Sequence, residues 1–203
     1  MIAYVTSTHF QNLGGSIQNR ILGIGKGIVQ AGHRAVVLSF GSRSWHDEMY
    51  VIDGVEVFCF ANFDCVLNKI SNRLVRRFAW FLIKPIAFVR FLISIFGWML
   101  HNKNECKVVI YYDTLLSLLV FTRLVTFFCK NQLYWEVNEP PHATFERSSI
   151  IHKHIKLWYE TAIIPKFFDG MVVMTKALMD YYRPYSRHGC KMLYVPMTVD
   201  EER

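Results

Sequence analysis

Short apolar runs rich in β-branched residues alternate with helical periods along nearly the whole chain, and this limits the fold more than any other feature. The first run is "MIAYVTS". Ser16 to Ala31 follows, with Ile17, Ile21, Ile24, Ile28 and Ala31 at helical spacing and Gly32 as a stop signal. "RAVVLSF" and "VEVFCFA" come next, apolar without polar alternation, as strands covered on both faces read. Strand, helix and strand within about forty residues make a βαβ opening. The theme then repeats: "KVVIYYD", a helix over Thr114 to Cys129, "QLYWEV", a mostly helical stretch from Phe145 to Phe168 with Pro165 near its end, "GMVVMT", a helix over Lys176 to Tyr185, and "KMLYVP". The pattern predicts an α/β fold, a Rossmann-like, doubly wound parallel sheet of about six or seven strands. No fixed-period repeat interrupts it.

With 203 residues, the chain is long enough for one large domain. Its net charge of +7 favours anionic partners, and its 19% of charged residues leaves apolar area for the surface. Five scattered cysteines with no CxxC pair read as buried thiols of a reduced compartment. Met1 runs directly into "IAYVTS", so the expectation is a chain without a secretory signal, in the cytoplasm.

Two glycine clusters lie early in the chain. Gly23, Gly25 and Gly27 fall inside the helical period, well past the turn where a dinucleotide fingerprint would place them, and read as small residues that let the helix approach the sheet. Gly14 and Gly15 sit between the first strand and the helix. Backbone N–H groups are free there, the helix dipole favours an anion, and glycine leaves room for a phosphate. Ser16 is a candidate N-cap. On local grounds the pair is equally an ordinary connecting loop. No Lys-Ser/Thr follows, which excludes a P-loop.

Three segments resemble family 4 glycosyltransferases: "GGSIQNRILGIGKGIVQAGHRAVVLS", "FDGMVVMTKALMDYYRPY" and "KMLYVPMTVDEER". They occur in the family's order over nearly the whole chain. The resemblance implies the N-terminal half of a GT-B fold, with residues 1–195 as the Rossmann-like acceptor-binding domain and 196–203 as the start of the linker to a C-terminal donor-binding domain. The paired-glutamate motif and the donor-binding Arg/Lys pair of that second domain are absent from the sequence. Met197-Thr198 stands where the family carries Asn-Gly. The resemblance further implies a retaining, nucleotide-sugar-dependent transferase that uses a UDP- or GDP-sugar, no cofactor and no metal. Gly14, Gly15 and Ser16 would then approach the donor phosphates, leaving the second glycine cluster to packing.

"LYWEVNEPPHATF" places polar groups just after a strand, at the carboxyl edge where α/β sheets bind ligands. Family members often carry a sugar-contacting histidine at this strand end, and Asn138 occupies that position. Asn138 and Glu139 are candidate sugar contacts. Glu136 and His142 flank them, with His142 the weaker candidate for a base, and a solvated turn at Pro140-Pro141 is the alternative. Thr175 ends another strand and either reaches the cleft or caps the next helix, capping being favoured; Asp113 is read in the same way. His152 and His154, two apart, do not share a helical face and are poor metal ligands.

From Cys65 to Asn104 there are seven Lys/Arg and no acid. Within the helical segment assigned to residues 66–101, Lys69, Arg73, Arg76, Arg77, Lys84 and Arg90 fall in an arc of roughly 140° opposite Phe, Leu, Ile and Val. Lys84, Pro85 and Arg90 break the apolar run, leaving it too short to span a bilayer. A basic amphipathic helix with Trp80 and Trp98 suits the plane of an anionic membrane, and a core-packing helix pair with a solvated basic edge is the alternative. The composite expectation is the acceptor-binding half of a glycosyltransferase, peripheral on the inner face of the cell membrane, with a lipid-linked or polysaccharide acceptor. Its rival is a truncated, catalytically inactive module that binds a membrane or a partner. Nucleic acid is disfavoured, because the positive charge tracks an apolar helix and no nucleic-acid motif appears.

Overall fold

The computed structural model describes residues 1–8, 10, 15–42, 46–62, 67–140, 154–155 and 157–196. Eight strands form one sheet: β1 (Ile2–Thr6), β2 (Ala35–Ser42), β3 (Glu48–Ile52), β4 (Val55–Ala61), β5 (Val108–Tyr112), β6 (Gln132–Val137), β7 (Gly170–Val173) and β8 (Lys191–Tyr194). Their order is β3-β4-β2-β1-β5-β6-β7-β8, so β1 is central, flanked in parallel by β2 and β5. Every pairing is parallel except β3 with β4. The seven strands legible in the sequence are the parallel ones. β3 is an addition: an antiparallel edge strand joined to β4 through Asp53 and Gly54, both at positive φ, 51° and 81°. That is the conformation of a tight hairpin turn, which Asp-Gly favours.

Among the described residues, the helices that cover the sheet include α1 (Ser16–Gln30), α2 (Arg73–His101), α3 (Leu116–Cys129) and α4 (Lys176–Tyr182). Alternate strand residues feed two cores. Tyr4, Val37, Val57 and Ile110 pack beneath α1 with Ile21 and Leu22. Val5, Leu38, Tyr111 and Trp135 face the other way, onto Phe91, Ile95 and Met99 of α2 and Leu118 of α3. Between β6 and β7, the described part of the predicted helical stretch is α-helical at 154–155 and 157–158, then a π turn (Tyr159–Ile163) running into a 3-10 turn (Ile164–Phe167). Residues 145–153 and 156 lie outside the described residues.

The second glycine cluster packs as expected at Gly25, which is buried in α1. A Cβ there would come 2.8 Å from Val55 Cγ2 of β4, so glycine sets how closely this helix approaches the sheet. At the start of α1, Gly15 holds the N-cap position with φ −73°, and Ser16 is the first helical residue rather than the cap.

The basic segment differs from its helical-wheel reading. Lys84 and Pro85 do not interrupt α2, which runs for 29 residues with Asn72 Oδ1 accepting from Leu74 and Val75 N–H at its start. An 18-residue window reaches a mean hydropathy of 1.8, long and apolar enough to cross a membrane by length and composition. Packing argues against that. Ala87, Phe91, Ile95 and Met99 are fully buried against the sheet, so this half of the helix belongs to the core. No residue from Arg73 to Ile86 is buried. At about 100° per residue, Arg73, Arg77 and Lys84 share a sector with Phe91 and Ile95. One side of the helix is therefore cationic where it extends past the sheet and apolar where it rests on it.

Candidate functional site

A cleft of about 720 Å³ opens at the carboxyl edge of the sheet, where β1, β5 and β6 end beside the first turns of α1. Parallel α/β sheets bind ligands at this edge because loops and helix N-termini converge there. Ser7 and Thr8 enter from β1, Ser16, Asn19 and Arg20 from α1, Tyr112 to Thr114 from β5, and Glu136 to Pro140 from β6. Of the residues expected from the sequence, Ser16, Glu136, Asn138 and Glu139 line it together. Gly15 immediately precedes Ser16. Gly14 and His142 lie outside the described residues. Thr175 is not in the wall: its Oγ1 accepts from Leu178 N–H at 3.1 Å and caps α4, the role favoured in the sequence. Asp113 serves the backbone too. Oδ1 accepts from Thr114 and Leu115 N–H ahead of α3, while Oδ2 accepts from Ser7 N–H at 3.1 Å and ties the β1 loop to the β5 loop.

The floor of the cleft is an ion pair that the sequence reading missed. Arg20 Nε donates to Glu136 Oε1 at 2.6 Å, with both side chains buried. The guanidinium also donates to the carbonyls of Pro196 and Val195 at 3.3 and 3.2 Å, so one residue of α1 holds β6 and the chain leaving β8. A signal was available: Arg20 sits beside Ile21 on the apolar stripe of α1, and a cation there requires a buried acid. Burial pushes the Glu136 carboxyl above the usual carboxylate range, against the opposing pull of Arg20. Tyr4 lies nearby, its hydroxyl and Glu136 Oε2 both buried, and each acts on the other's titration. Burial and the Glu136 charge hold the Tyr4 phenol neutral, far above its ordinary value.

Above this pair, Asn138 Nδ2 donates to the Tyr112 hydroxyl at 2.7 Å, while Asn138 Oδ1 has no hydrogen-bond partner. With its oxygen already accepting, the Tyr112 O–H proton can be donated onward. The cleft wall therefore combines an amide, a phenol and the Glu139 carboxylate, groups suited to a hydroxylated ligand. The first turn of α1 carries no acid, leaving its positive dipole end uncompensated beside Ser16.

Among the described residues no group of three or more His, Cys, Asp or Glu could hold a metal ion. The described cysteines are free, and burial pushes the Cys59 and Cys106 thiols up to about 11, which makes them poor nucleophiles. Cys65 lies outside the described residues.

Among solved structures, the sucrose-phosphate synthase of Thermosynechococcus elongatus matches 96% of this chain and 47% of its own, at TM-score 0.58 and 9% identity. The Anabaena protein HepE, in complex with UDP and glucose, matches 98% of this chain and 45% of its own, at TM-score 0.52 and 12% identity. No protein-family model and no curated protein matches the sequence. The architecture is thus the mostly parallel, Rossmann-like α/β fold found in GT-B glycosyltransferases. The chain spans about half the length of the structures it matches.

Proposed function

We propose that the chain is the acceptor-binding half of a nucleotide-sugar-dependent, retaining glycosyltransferase of the family 4 type, working at the inner face of the cell membrane in surface-polysaccharide or glycolipid synthesis. The observation that carries this reading is the cleft: a hydroxyl-binding wall at the carboxyl edge of a parallel sheet, in a fold whose solved neighbours include a sucrose-phosphate synthase. Asn138 and Glu139 bind sugar hydroxyls, with Tyr112 supplying a donor. Gly14, Gly15 and Ser16 form the edge that approaches the donor phosphates, where backbone N–H groups and the α1 dipole stabilise negative charge on the departing nucleotide. Residues 196–203 begin the link to a C-terminal domain that supplies the principal donor contacts.

The experiment is an NMR titration of the isotope-labelled chain with soluble headgroup analogues of glycolipid acceptors. Amides of residues 7–8, 16–20, 112–114 and 136–139 are expected to shift together and saturably. Shifts confined to other surfaces, or none across a broad acceptor panel, would overturn the acceptor reading. The rival is an inactive module that binds a membrane or a partner. It predicts an unresponsive cleft.

A further inference from the structure

The least explained surface of this molecule is apolar and faces away from the sheet. Along α2, Leu74, Phe78, Phe81, Leu82, Val89 and Leu100 are all exposed, Leu74 by 75% and Phe81 by 70%. At about 100° per residue they fall within roughly 100° of arc, opposite Ala87, Phe91 and Ile95. The stripe therefore runs the length of the helix. It does not end there. α3 packs beside α2 on the same sheet face. Its outer side exposes Leu116, Val120 and Leu124 and ends in Phe127 and Phe128, each 71% exposed. Contiguous apolar surface on this scale marks an interaction site.

We infer that the outer faces of α2 and α3 together form a platform that embeds, side-on, in one leaflet of an anionic bilayer. This deepens the membrane part of the proposed function and does not depend on its transfer chemistry. Three observations select a bilayer. Lys69, Arg73, Arg76 and Arg77 make no ion pair among the described residues, so the platform arrives with unneutralised positive charge. Anionic headgroups beside the embedded face would neutralise them. The burial of Phe91, Ile95 and Met99 against the sheet opposes a spanning orientation, because the sheet would have to follow the helix into hydrocarbon. The sides of the helices also match an interfacial posture: apolar residues point outward and the cations lie on the sectors behind them.

The platform also has an orientation relative to the cleft. α2 leaves from the carboxyl end of β4 and returns toward the amino end of β5. Arg90 meets Asp47 of the β2–β3 connection at 3.0 Å, so residues before it extend beyond the carboxyl edge. Residues 73–86 continue for roughly 20 Å in that direction. The cleft opens at the same edge, so an embedded α2 holds its mouth beside the headgroup layer, in reach of an acceptor anchored by a lipid chain.

The test uses the full chain with vesicles of phosphatidylcholine alone or with phosphatidylglycerol. Binding to anionic vesicles is expected, with a large part retained at high salt because apolar insertion does not screen. Phe127→Ser with Phe128→Ser, and Phe78→Ser with Phe81→Ser, should each weaken it tenfold or more. These side chains are exposed, so melting temperature and monomer size should stay unchanged. Tryptophan quenching should be stronger with lipids brominated near the headgroup than near the mid-plane. No binding to either vesicle overturns the inference, as does binding indifferent to the α3 pair. Strongest quenching at the mid-plane would indicate a span. A dimer abolished by the same substitutions would assign the face to a second copy. Vesicle binding with an unresponsive cleft would retain this platform and sink the glycosyltransferase reading; the converse would do the opposite.

Discussion

Glu136 can stay ionised at the buried rim of the sheet only while Arg20 neutralises it. Arg20→Met should therefore cost about 3–5 kcal/mol in urea unfolding, the usual cost of orphaning one member of a buried pair. Adding Glu136→Leu should recover much of the loss, since the orphaned charge then disappears. The sign with pH follows from the raised Glu136 value. In the single variant the folded carboxyl binds its proton more tightly than the unfolded one, so the penalty is full above the folded pKa and fades as pH falls through it. A penalty that stayed constant from neutral pH into acid would show that Arg20 acts through packing alone. The two glycines give a second contrast. At Gly15, φ is −73° and an added Cβ meets the mobile end of the Gln18 side chain, so Gly15→Ala should melt close to wild type. At Gly25 the Cβ meets Val55 at 2.8 Å, and Gly25→Ala should cost about 1–3 kcal/mol through overpacking. In an enzyme reconstituted with its second domain, Gly15→Ala should lose transfer while still folded, and Gly25→Ala should retain transfer per folded molecule. The reverse pattern would mean that the wrong glycine cluster had been assigned to the donor phosphates.

Elements differ in how plainly the chain declares them. The parallel strands were legible because residues such as Val36, Val37 and Leu38 are buried on both faces, which leaves an uninterrupted apolar run. β3 was not, because "EMYVI" lies half exposed at an edge. Its signal was the turn, Asp53-Gly54, rather than the strand. Gly54→Ala tests this: φ is 81° and a Cβ would lie 2.9 Å from Val29 Cγ1, so the hairpin should loosen and the chain lose about 1 kcal/mol or more. A variant as stable as wild type would show that the hairpin contributes nothing. α2 was misread on the wheel because a wheel collapses length. Arg77 and Ile95 project onto one angle, though only the second touches the sheet. Asp169 joins elements at the opposite edge from the cleft. It accepts from Arg123 of α3 at 2.8 Å and from Leu133 N–H of β6 at 2.9 Å, and pairs with Arg187 at 3.1 Å. Burial alone would raise its carboxyl, but these partners together lower it. Its contribution is present above the ordinary carboxylate value and is lost as pH falls through the lowered one. The melting difference between wild type and Asp169→Asn should therefore shrink from pH 6 toward pH 3. A difference that grows instead would place the origin of the effect elsewhere.

For the molecule as a whole, sequence order carried the fold and half of the site. Periodicity reports burial, and burial at a parallel sheet is regular; this is why the α/β architecture was readable. The cleft was readable only where polar residues cluster in sequence, as in Glu136, Asn138 and Glu139. Arg20 reaches Glu136 across 116 residues and Tyr112 reaches Asn138 across 26, from the neighbouring strand, and no local pattern announces either contact. The solved neighbours are about twice this length. If donor binding depends mainly on a second domain, the purified 203-residue chain should bind acceptor analogues at Asn138 yet release no product from UDP- or GDP-sugars. Adding a complementary donor-binding domain in trans should restore turnover, and Asn138→Ala should then depress it without a matching fall in melting temperature. Turnover by the 203-residue chain alone would overturn the division of labour, and would require the catalytic groups to be sought among Glu136, Glu139 and His142 instead.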